Sequence, residues 1–170
     1  SIFLMQDIKH IDVCWSPEDY MNLDYYDPGT DPKDFPGYNF PAYGKNNMTN
    51  EVYHLPAPMP KFVNKVLAMF DYDIKAPALN LMRPGQVLPF HQDVYTNYCK
   101  KYLINDLNKI DRFIIFLEDA KMGHMFAFED KVYYKWQAGD VVSWSGQKSH
   151  AAYNIGNTNR YTLQITCTKI

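Results

Sequence analysis

Cysteine is scarce in this 170-residue sequence, and its few occurrences follow no pattern. Cys14, Cys99 and Cys167 are odd in number, widely spaced and without a Cys-x-x-Cys pair. A disulfide framework and a structural zinc site are therefore not expected. Because unpaired thiols suit a reducing compartment, the cysteine usage predicts a cytoplasmic protein.

The sequence also lacks an excess of charge of one sign and any long apolar run. Its formal net charge is −2 at pH 7, so it has no overall basic field to attract nucleic acids or anionic membranes. No apolar stretch approaches the length that spans a bilayer, and residues 1–6 do not have the pattern of a signal peptide. We therefore expect no membrane partner, no nucleic-acid partner and one domain over residues 1–170.

Turn-forming and aromatic residues are present in quantity. Eleven prolines and eight glycines, with 14 tyrosines and 10 phenylalanines, fit a turn-rich β architecture better than a helical bundle. One clear helix is predicted at residues 58–71, where Phe62, Val66 and Phe70 fall on one face. The remaining pattern predicts a mainly β fold with this flanking helix, a sandwich or jelly-roll whose β-core covers about residues 78–168. Its predicted strands are residues 78–82, 86–90, 113–117, 125–128, 132–136, 140–144 and 161–168.

Three segments lie outside this core. Residues 1–15 interleave apolar and charged residues, which predicts one or two short strands. Residues 16–50 are rich in turn signals, with a short helix favoured at Ser16-Pro17-Glu18-Asp19. We interpret this segment mainly as a flap packed by its aromatic residues, with a substrate-pocket wall as the alternative. Residues 94–110 are predicted to be an insertion with helical turns.

His91 and Asp93 are the first candidate metal ligands. They are two residues apart, and on a strand such residues point to the same face. His150 is the best candidate for a third ligand, because it lies between two strand-like runs. Two histidines and one carboxylate, with other coordination positions open, form the ligand set of a non-haem Fe(II) oxygenase. The alternative is a metal-free jelly-roll in which His91 and Asp93 form an ordinary hydrogen-bonded pair.

Arg160 strengthens the metal interpretation. It lies ten residues beyond His150, and it shares a strand face with Thr162. A guanidinium presents a planar fork of donors that matches a carboxylate, and the threonine hydroxyl adds another donor. These residues fit a small diacid that chelates iron at one end and is anchored at the other. The alternative for Arg160 is a surface ion pair on an edge strand.

With these motifs, the chain resembles the Fe(II)/2-oxoglutarate-dependent dioxygenases, in particular the prolyl-4-hydroxylase-like layout. The resemblance covers roughly residues 78–168. Its matching parts are Gly85-Gln86 before His91-x-Asp93, the strand at residues 112–119, Gly123 before Phe126 and Phe128, Gly139-Asp140, His150, and the basic residue Arg160.

The resemblance implies a double-stranded β-helix of the jelly-roll or cupin-like type. It implies Fe(II) held by His91, Asp93 and His150, and 2-oxoglutarate as co-substrate, with Arg160 and Thr162 at its distal carboxylate. The expected activity is hydroxylation of a C–H bond in a small molecule or an amino-acid or peptidyl side chain, with release of succinate and CO2. Asn80 matches an asparagine that helps to bind the co-substrate in AlkB-type demethylases. A strand-end asparagine that satisfies backbone groups explains it equally well.

Two other functions compete with hydroxylation. The run from Asn80 to Asp93 also resembles AlkB-type nucleic-acid demethylases, but their second arginine would fall at Thr166 and is missing. A cupin-like metalloprotein that does not use 2-oxoglutarate would not need Arg160 and Thr162 in this register. The sequence identifies neither the main substrate nor the oligomeric state.

Overall fold

The computed structural model describes residues 9–30, Phe35 and residues 47–170. Within them, two antiparallel sheets form a sandwich. The larger sheet has the strand order β1-β8-β5-β10-β3-β2, and the smaller has the order β4-β9-β6-β7. The strands are β1 Lys9–His10, β2 Glu51–His54, β3 Ile74–Met82, β4 Val87–His91, β5 Ile110–Phe116, β6 His124–Phe128, β7 Lys131–Tyr133, β8 Asp140–Ser145, β9 His150–Asn154 and β10 Arg160–Thr168. The helices are α1 Lys61–Leu67 and α2 Thr96–Tyr102, with short 3₁₀ turns at Pro17–Asp19 and Leu107–Lys109.

The strands of the larger sheet bury apolar side chains on both faces. In β5, Ile114 and Phe116 point between the two sheets, whereas Phe113 and Ile115 belong to a second core on the outer face. Helix α1 covers that outer face with its buried side chains, among them Phe62. Coverage of both faces explains why residues 113–116 of β5 are a continuous apolar run instead of alternating with polar residues. The predicted jelly-roll with a flanking helix is therefore confirmed.

The flanking helix is shorter than predicted. It begins after Pro60 and ends at Leu67, whereas the sequence pattern predicted a helix over residues 58–71. The backbone N–H groups of Met69 and Phe70 bond three residues back, which tightens the chain into a turn toward β3. The predicted apolar face is nevertheless the buried one.

Several strand boundaries also differ from the prediction. Strand β9 was missed, because Ala151 and Ala152 are weak strand formers, yet it lies between β4 and β6. Strand β2 was missed as well, and β7 ends at Tyr133 instead of continuing to Trp136. The predicted helical turns of the 94–110 insertion are present as α2 and the following 3₁₀ turn.

The N-terminal predictions are only partly covered by the structure. In the described part of the predicted 1–15 strands, residues 9–15, the strand is the two-residue β1, and the short helix predicted at Ser16 is a 3₁₀ turn. Residues 1–8, 31–34 and 36–46, with most of the turn-rich segment predicted between residues 31 and 46, lie outside the described residues. In the part of the chain that is described, no helix is long and apolar enough to cross a membrane.

Candidate metal centre

The pairing of β4 with β9 brings two histidines together. His91 is the last residue of β4 and His150 is the first residue of β9, and they are direct partners across the ladder. Leu88 pairs with Ala152, so three steps along β4 match two along β9. This is a β-bulge, which turns a side chain to a new direction. The two imidazole ring centroids are 4.4 Å apart.

Asp93 joins the histidines from beyond the strand. His91 and Asp93 were predicted to lie on one face of a strand. That prediction was wrong, because β4 ends at His91 and Asp93 lies beyond the strand. The backbone carbonyl of Asp93 instead accepts a 3.1 Å hydrogen bond from the Gln147 side chain. Its carboxylate oxygens lie 3.7 Å from His91 Nε2 and 3.5 Å from His150 Nε2. The three candidate ligand atoms all lie within 4.8 Å of one another, a spacing that suits one metal ion.

Hydrogen bonds orient both imidazole rings. His91 Nδ1 donates to the carbonyl of Pro89, and His150 Nδ1 donates to the carbonyl of Lys148, each at 2.8 Å. Since a carbonyl only accepts, the proton resides on Nδ1 and the Nε2 lone pair points to the common centre. Metal-ligating histidines are held in this way. Burial, with a smaller contribution from His91, lowers the pKa of His150 to about 4, so its ring is neutral near pH 7.

The carboxylate of Asp93 is incompletely satisfied by the protein. Its Oδ2 atom is buried and has no hydrogen-bond partner. Leaving a buried carboxylate oxygen unpaired is costly, and a cation between the two Nε2 atoms and this oxygen would remove that cost. The donor set therefore fits a divalent metal of the iron type.

A cavity of about 380 Å³ opens beside these three residues. Arg160 lies at its wall, is only 6 % exposed, and its Nε and Nη2 atoms have no hydrogen-bond partner. The guanidinium lies over the rings of Phe116 and Trp136, at 5.7 and 5.5 Å from their centroids. Burial lowers the pKa of Arg160 to about 10, so the group is still charged at pH 7. The arginine is not on an edge strand, because β10 lies between β5 and β3.

The other two predicted co-substrate residues also line this cavity. Thr162 and Asn80 are partners across β10 and β3, and Thr162 is buried. The Asn80 side-chain oxygen accepts a 3.0 Å hydrogen bond from the Asn50 amide. That contact is with a side chain, and the role of Asn80 in co-substrate binding stays a prediction.

The cavity wall includes residues beyond the predicted ligands. Pro28, Gly29 and Thr30 line it, which favours the pocket-wall alternative for the described part of the 16–50 segment. Arg112 lines it too and was missed, although a charged residue directly before the apolar run of β5 was an available signal. His124 is buried, with Nε2 3.1 Å from the Thr158 carbonyl, and is not part of the metal-ligand group.

Comparisons with known proteins support the fold. No protein-family model matches the sequence, and no curated protein matches it. The structure is similar to a prolyl-4-hydroxylase from Pseudomonas putida, with a TM-score of 0.55 and 14 % identity over 72 % of each chain. It also matches a predicted oxalate decarboxylase from Thermotoga maritima, with a TM-score of 0.44 and 18 % identity over 71 % of this chain and 81 % of that one. A cupin domain from Bordetella pertussis matches with a TM-score of 0.39 and 10 % identity, over 58 % and 86 % of the two chains. At 14 % identity, the similarity to the hydroxylase shows that the two proteins share a jelly-roll fold.

Proposed function

We propose that the protein is an Fe(II)- and 2-oxoglutarate-dependent dioxygenase that hydroxylates a C–H bond. The observation that carries the proposal is the presence of two incomplete sites in one cavity. His91, Asp93 and His150 offer three ligands to a metal, and Arg160 offers a buried guanidinium without an anion. A 2-oxo diacid completes both, because its two ends need a metal and a cation.

In this proposal the chain holds the co-substrate at two points. Arg160 pairs with the distal carboxylate, with the Thr162 hydroxyl as a further donor and Asn80 beside it. The stacked Phe116 and Trp136 rings keep the guanidinium in place and keep water away from it. Iron with 2-oxoglutarate, when bound, supplies an oxidant made from O2, and succinate and CO2 are released. The main substrate is a small molecule or an amino-acid or peptidyl side chain.

Nothing in the described cavity favours a nucleic-acid substrate. The charged residues among its described lining are Asp93, Arg112 and Arg160, and no lysine is among the lining residues that the structure describes. Phosphate backbones are usually bound by several Lys and Arg side chains. The three cysteines form no disulfide, which suits the reducing cytoplasm that we propose as the compartment.

The test is an anaerobic titration of metal-free protein with Fe(II) and 2-oxoglutarate, followed by visible absorption. Chelation of the metal by the 2-oxo acid gives a charge-transfer band, which we expect in the native protein and not in His150→Ala. Arg160→Ala should weaken the band in a way that additional 2-oxoglutarate restores. His10→Ala and Arg83→Gln are the matched controls, because both side chains are exposed and lie outside the cavity.

Each failure has a distinct meaning. Iron binding without the band would exclude 2-oxoglutarate as co-substrate and favour a cupin-like metalloprotein. Absence of metal binding would make the His91, Asp93 and His150 cluster an ordinary polar group of a jelly-roll. Loss of the band in either control would point to general damage to the fold.

A further inference from the structure

Arg112 is a second buried arginine in the same cavity. The chain has three arginines, and two of them line this cavity. Arg112 is 9 % exposed, and its Nε atom has no hydrogen-bond partner. Its Nη2 atom lies 3.7 Å from Asp93 Oδ2, which is too long for a hydrogen bond. The guanidinium is therefore close to the metal ligands and is not fully used by the protein.

An aromatic ring holds this guanidinium from one side. The carbon of the Arg112 guanidinium lies 5.0 Å from the Tyr95 ring centroid, within range of a cation–π contact. Tyr95 has a φ of +53°, which is uncommon outside glycine, and it is almost fully buried. Its hydroxyl donates a 3.1 Å hydrogen bond to the Gly146 carbonyl. Residues held in such conformations cluster at ligand-binding sites, so the support beneath Arg112 is fixed before any ligand arrives.

Arg112 and Arg160 occupy different ends of the inner sheet face. Arg112 is the partner of Thr166 on β10, six residues along the strand from Arg160. At about 3.3 Å per residue, the two backbone positions are about 20 Å apart. Arg160 lies beside Thr162 and Asn80, whereas Arg112 lies beside Asp93. A co-substrate carboxylate anchored at Arg160 therefore leaves Arg112 with only the Asp93 carboxylate, 3.7 Å away and shared with the metal site, as its charge partner.

The sum of the charges in the cavity also indicates that Arg112 needs a further anion. Among the described lining residues, two arginines are positive and Asp93 is negative, and the histidines are taken as neutral ligands. A divalent iron and a dianionic 2-oxoglutarate cancel each other, so one positive charge remains uncompensated. An uncompensated buried charge is costly, and a monoanion that arrives with the main substrate would compensate it.

We propose that Arg112 binds a carboxylate of the main substrate, so that the enzyme acts on a carboxylic acid at a carbon close to its carboxylate. This inference rests on the proposed function and narrows its substrate class. The guanidinium fork suits a carboxylate, and Tyr95 supports it from one side. A cavity of about 380 Å³ is at the small end of ligand sites, which suits a small acid beside the co-substrate.

The test uses propionate and propionamide, which have the same shape and differ in charge. Each is titrated anaerobically into protein loaded with Fe(II) and saturating 2-oxoglutarate, and binding is followed by saturation-transfer NMR. We expect propionate to bind at least tenfold more tightly than propionamide. Arg112→Gln should abolish that preference while the Fe(II)–2-oxoglutarate band persists, and Arg112→Lys should retain part of it. Arg83→Gln, which removes the exposed third arginine, should leave the preference intact.

Three results would overturn the proposal. The first is equal binding of the two probes by the native protein, a comparison that needs no variant to fold. The second is an unchanged preference in Arg112→Gln. The third concerns the 2-oxoglutarate concentration at which the band forms. If Arg112→Gln raises this concentration as much as Arg160→Ala does, Arg112 binds the co-substrate. Failure of the proposed function is seen separately, as the absence of the band from the native protein.

Competition then identifies the source of the carboxylate. Displacement of bound propionate by a mixture of free L-amino acids would show that the acid is a free amino acid. Displacement by capped peptides with one internal Asp or Glu would show that it is a side-chain carboxylate. Either result supports the role of Arg112.

Discussion

At the residue scale, Arg160 shows how a binding site opposes stability. Its guanidinium is charged and buried, its Nε and Nη2 atoms have no hydrogen-bond partner among the described residues, and its Nη1 atom donates to the Met82 sulfur at 4.0 Å. Removing such a group can stabilise a fold, because the buried donors no longer lack partners. The same group is the one that we propose binds 2-oxoglutarate.

We therefore expect Arg160→Met to raise the free energy of unfolding of the ligand-free protein by about 1–3 kcal/mol. In the same variant, a 2-oxoglutarate concentration that stabilises the native metal-loaded protein should add much less stability. Urea unfolding with and without 2-oxoglutarate measures both effects. Arg83→Met is the control, because Arg83 is exposed and pairs with Glu51, so its loss should change little. A less stable ligand-free Arg160→Met would show that the guanidinium is needed for packing.

The Asp93 carboxylate can be tested by an isosteric change. Asp93→Asn keeps the size of the side chain but removes the charge that balances a cation between two neutral imidazoles. Loss of a hydrogen bond to a metal ligand typically lowers metal affinity by about 10–100-fold, and we expect Asp93→Asn to lower Fe(II) affinity by more than that. Equilibrium dialysis with metal analysis measures this loss. Asp71→Asn, at a fully exposed carboxylate, should bind Fe(II) like the native protein. Equal affinity in the two variants would remove Asp93 from the ligand set.

These residues also show how far the sequence leads. His91, Asp93 and His150 were predicted as one group, and the structure brings them together. The prediction rested on strand alternation, yet Asp93 is held by a loop contact to Gln147 that no local pattern reveals. The sequence interpretation missed Arg112 because its inward direction follows from the register of β5 with β10, which only the complete sheet defines.

At the element scale, close backbone contacts set the entry to β6 and the exit from β9. Gly123 has a φ of +85°, and a Cβ atom there would lie 2.2 Å from the backbone nitrogen of Gly156. The Ile155 N–H donates to the Gly123 carbonyl at 2.9 Å, which ties the two segments together beyond the β6–β9 ladder. A side chain at this position would separate the strands that carry one wall of the site.

Gly85 provides a matched comparison for Gly123. It has a similar φ of +88°, but a Cβ atom there would meet nothing within 4 Å. Gly85→Ala should cost about 1–2 kcal/mol for the left-handed backbone alone. Gly123→Ala should cost about 1–3 kcal/mol more, because backbone atoms must move apart. Urea midpoints at constant m-value give both numbers. Equal losses of unfolding free energy in the two variants would mean that the backbone around residues 123 and 156 moves apart without a measurable cost.

At the scale of the whole molecule, the core can be tested through its thiols. Cys167 is fully buried in β10, and burial raises its pKa from about 9 to about 12, whereas Cys14 and Cys99 are partly exposed. At pH 8 we expect iodoacetamide to label Cys14 and Cys99 and to reach Cys167 only as fast as the protein unfolds. Peptide mass spectrometry distinguishes the three sites. Fast labelling of Cys167 in folded protein would contradict the packing of this strand.

The raised pKa of Cys167 also sets the sign of one pH effect. The buried thiol stays protonated while the unfolded thiol ionises above about pH 9. Its contribution to stability is therefore fully present below pH 9 and is lost as the pH rises toward 12. Urea unfolding between pH 8 and pH 12 measures this loss of stability. If the loss is due to Cys167, it should be absent from Cys167→Ala.

The proposed site spans both sheets, so its ligands should stabilise the whole fold. His91 and His150 come from the smaller sheet, and Arg160, Thr162 and Asn80 from the larger. Unfolding separates these groups, and a ligand that needs all of them binds only the folded state. A ligand at 100 times its Kd adds about 2.7 kcal/mol, which for a chain of this size is a rise in Tm of about 5–10 °C.

The two ligands should act together in a melting experiment, because each one completes the site of the other. We expect Fe(II) alone to raise Tm and 2-oxoglutarate alone to raise it little, since without metal only its distal carboxylate is held. Both together should raise Tm by more than the sum of the separate shifts. Anaerobic scanning calorimetry measures Tm without ligand, with Fe(II), with 2-oxoglutarate and with both. In His150→Ala, Fe(II) should no longer raise Tm, and the two ligands together should no longer exceed the sum of their separate shifts. A full shift with 2-oxoglutarate alone would mean that the diacid binds without the metal, which would separate the two halves of the proposed site.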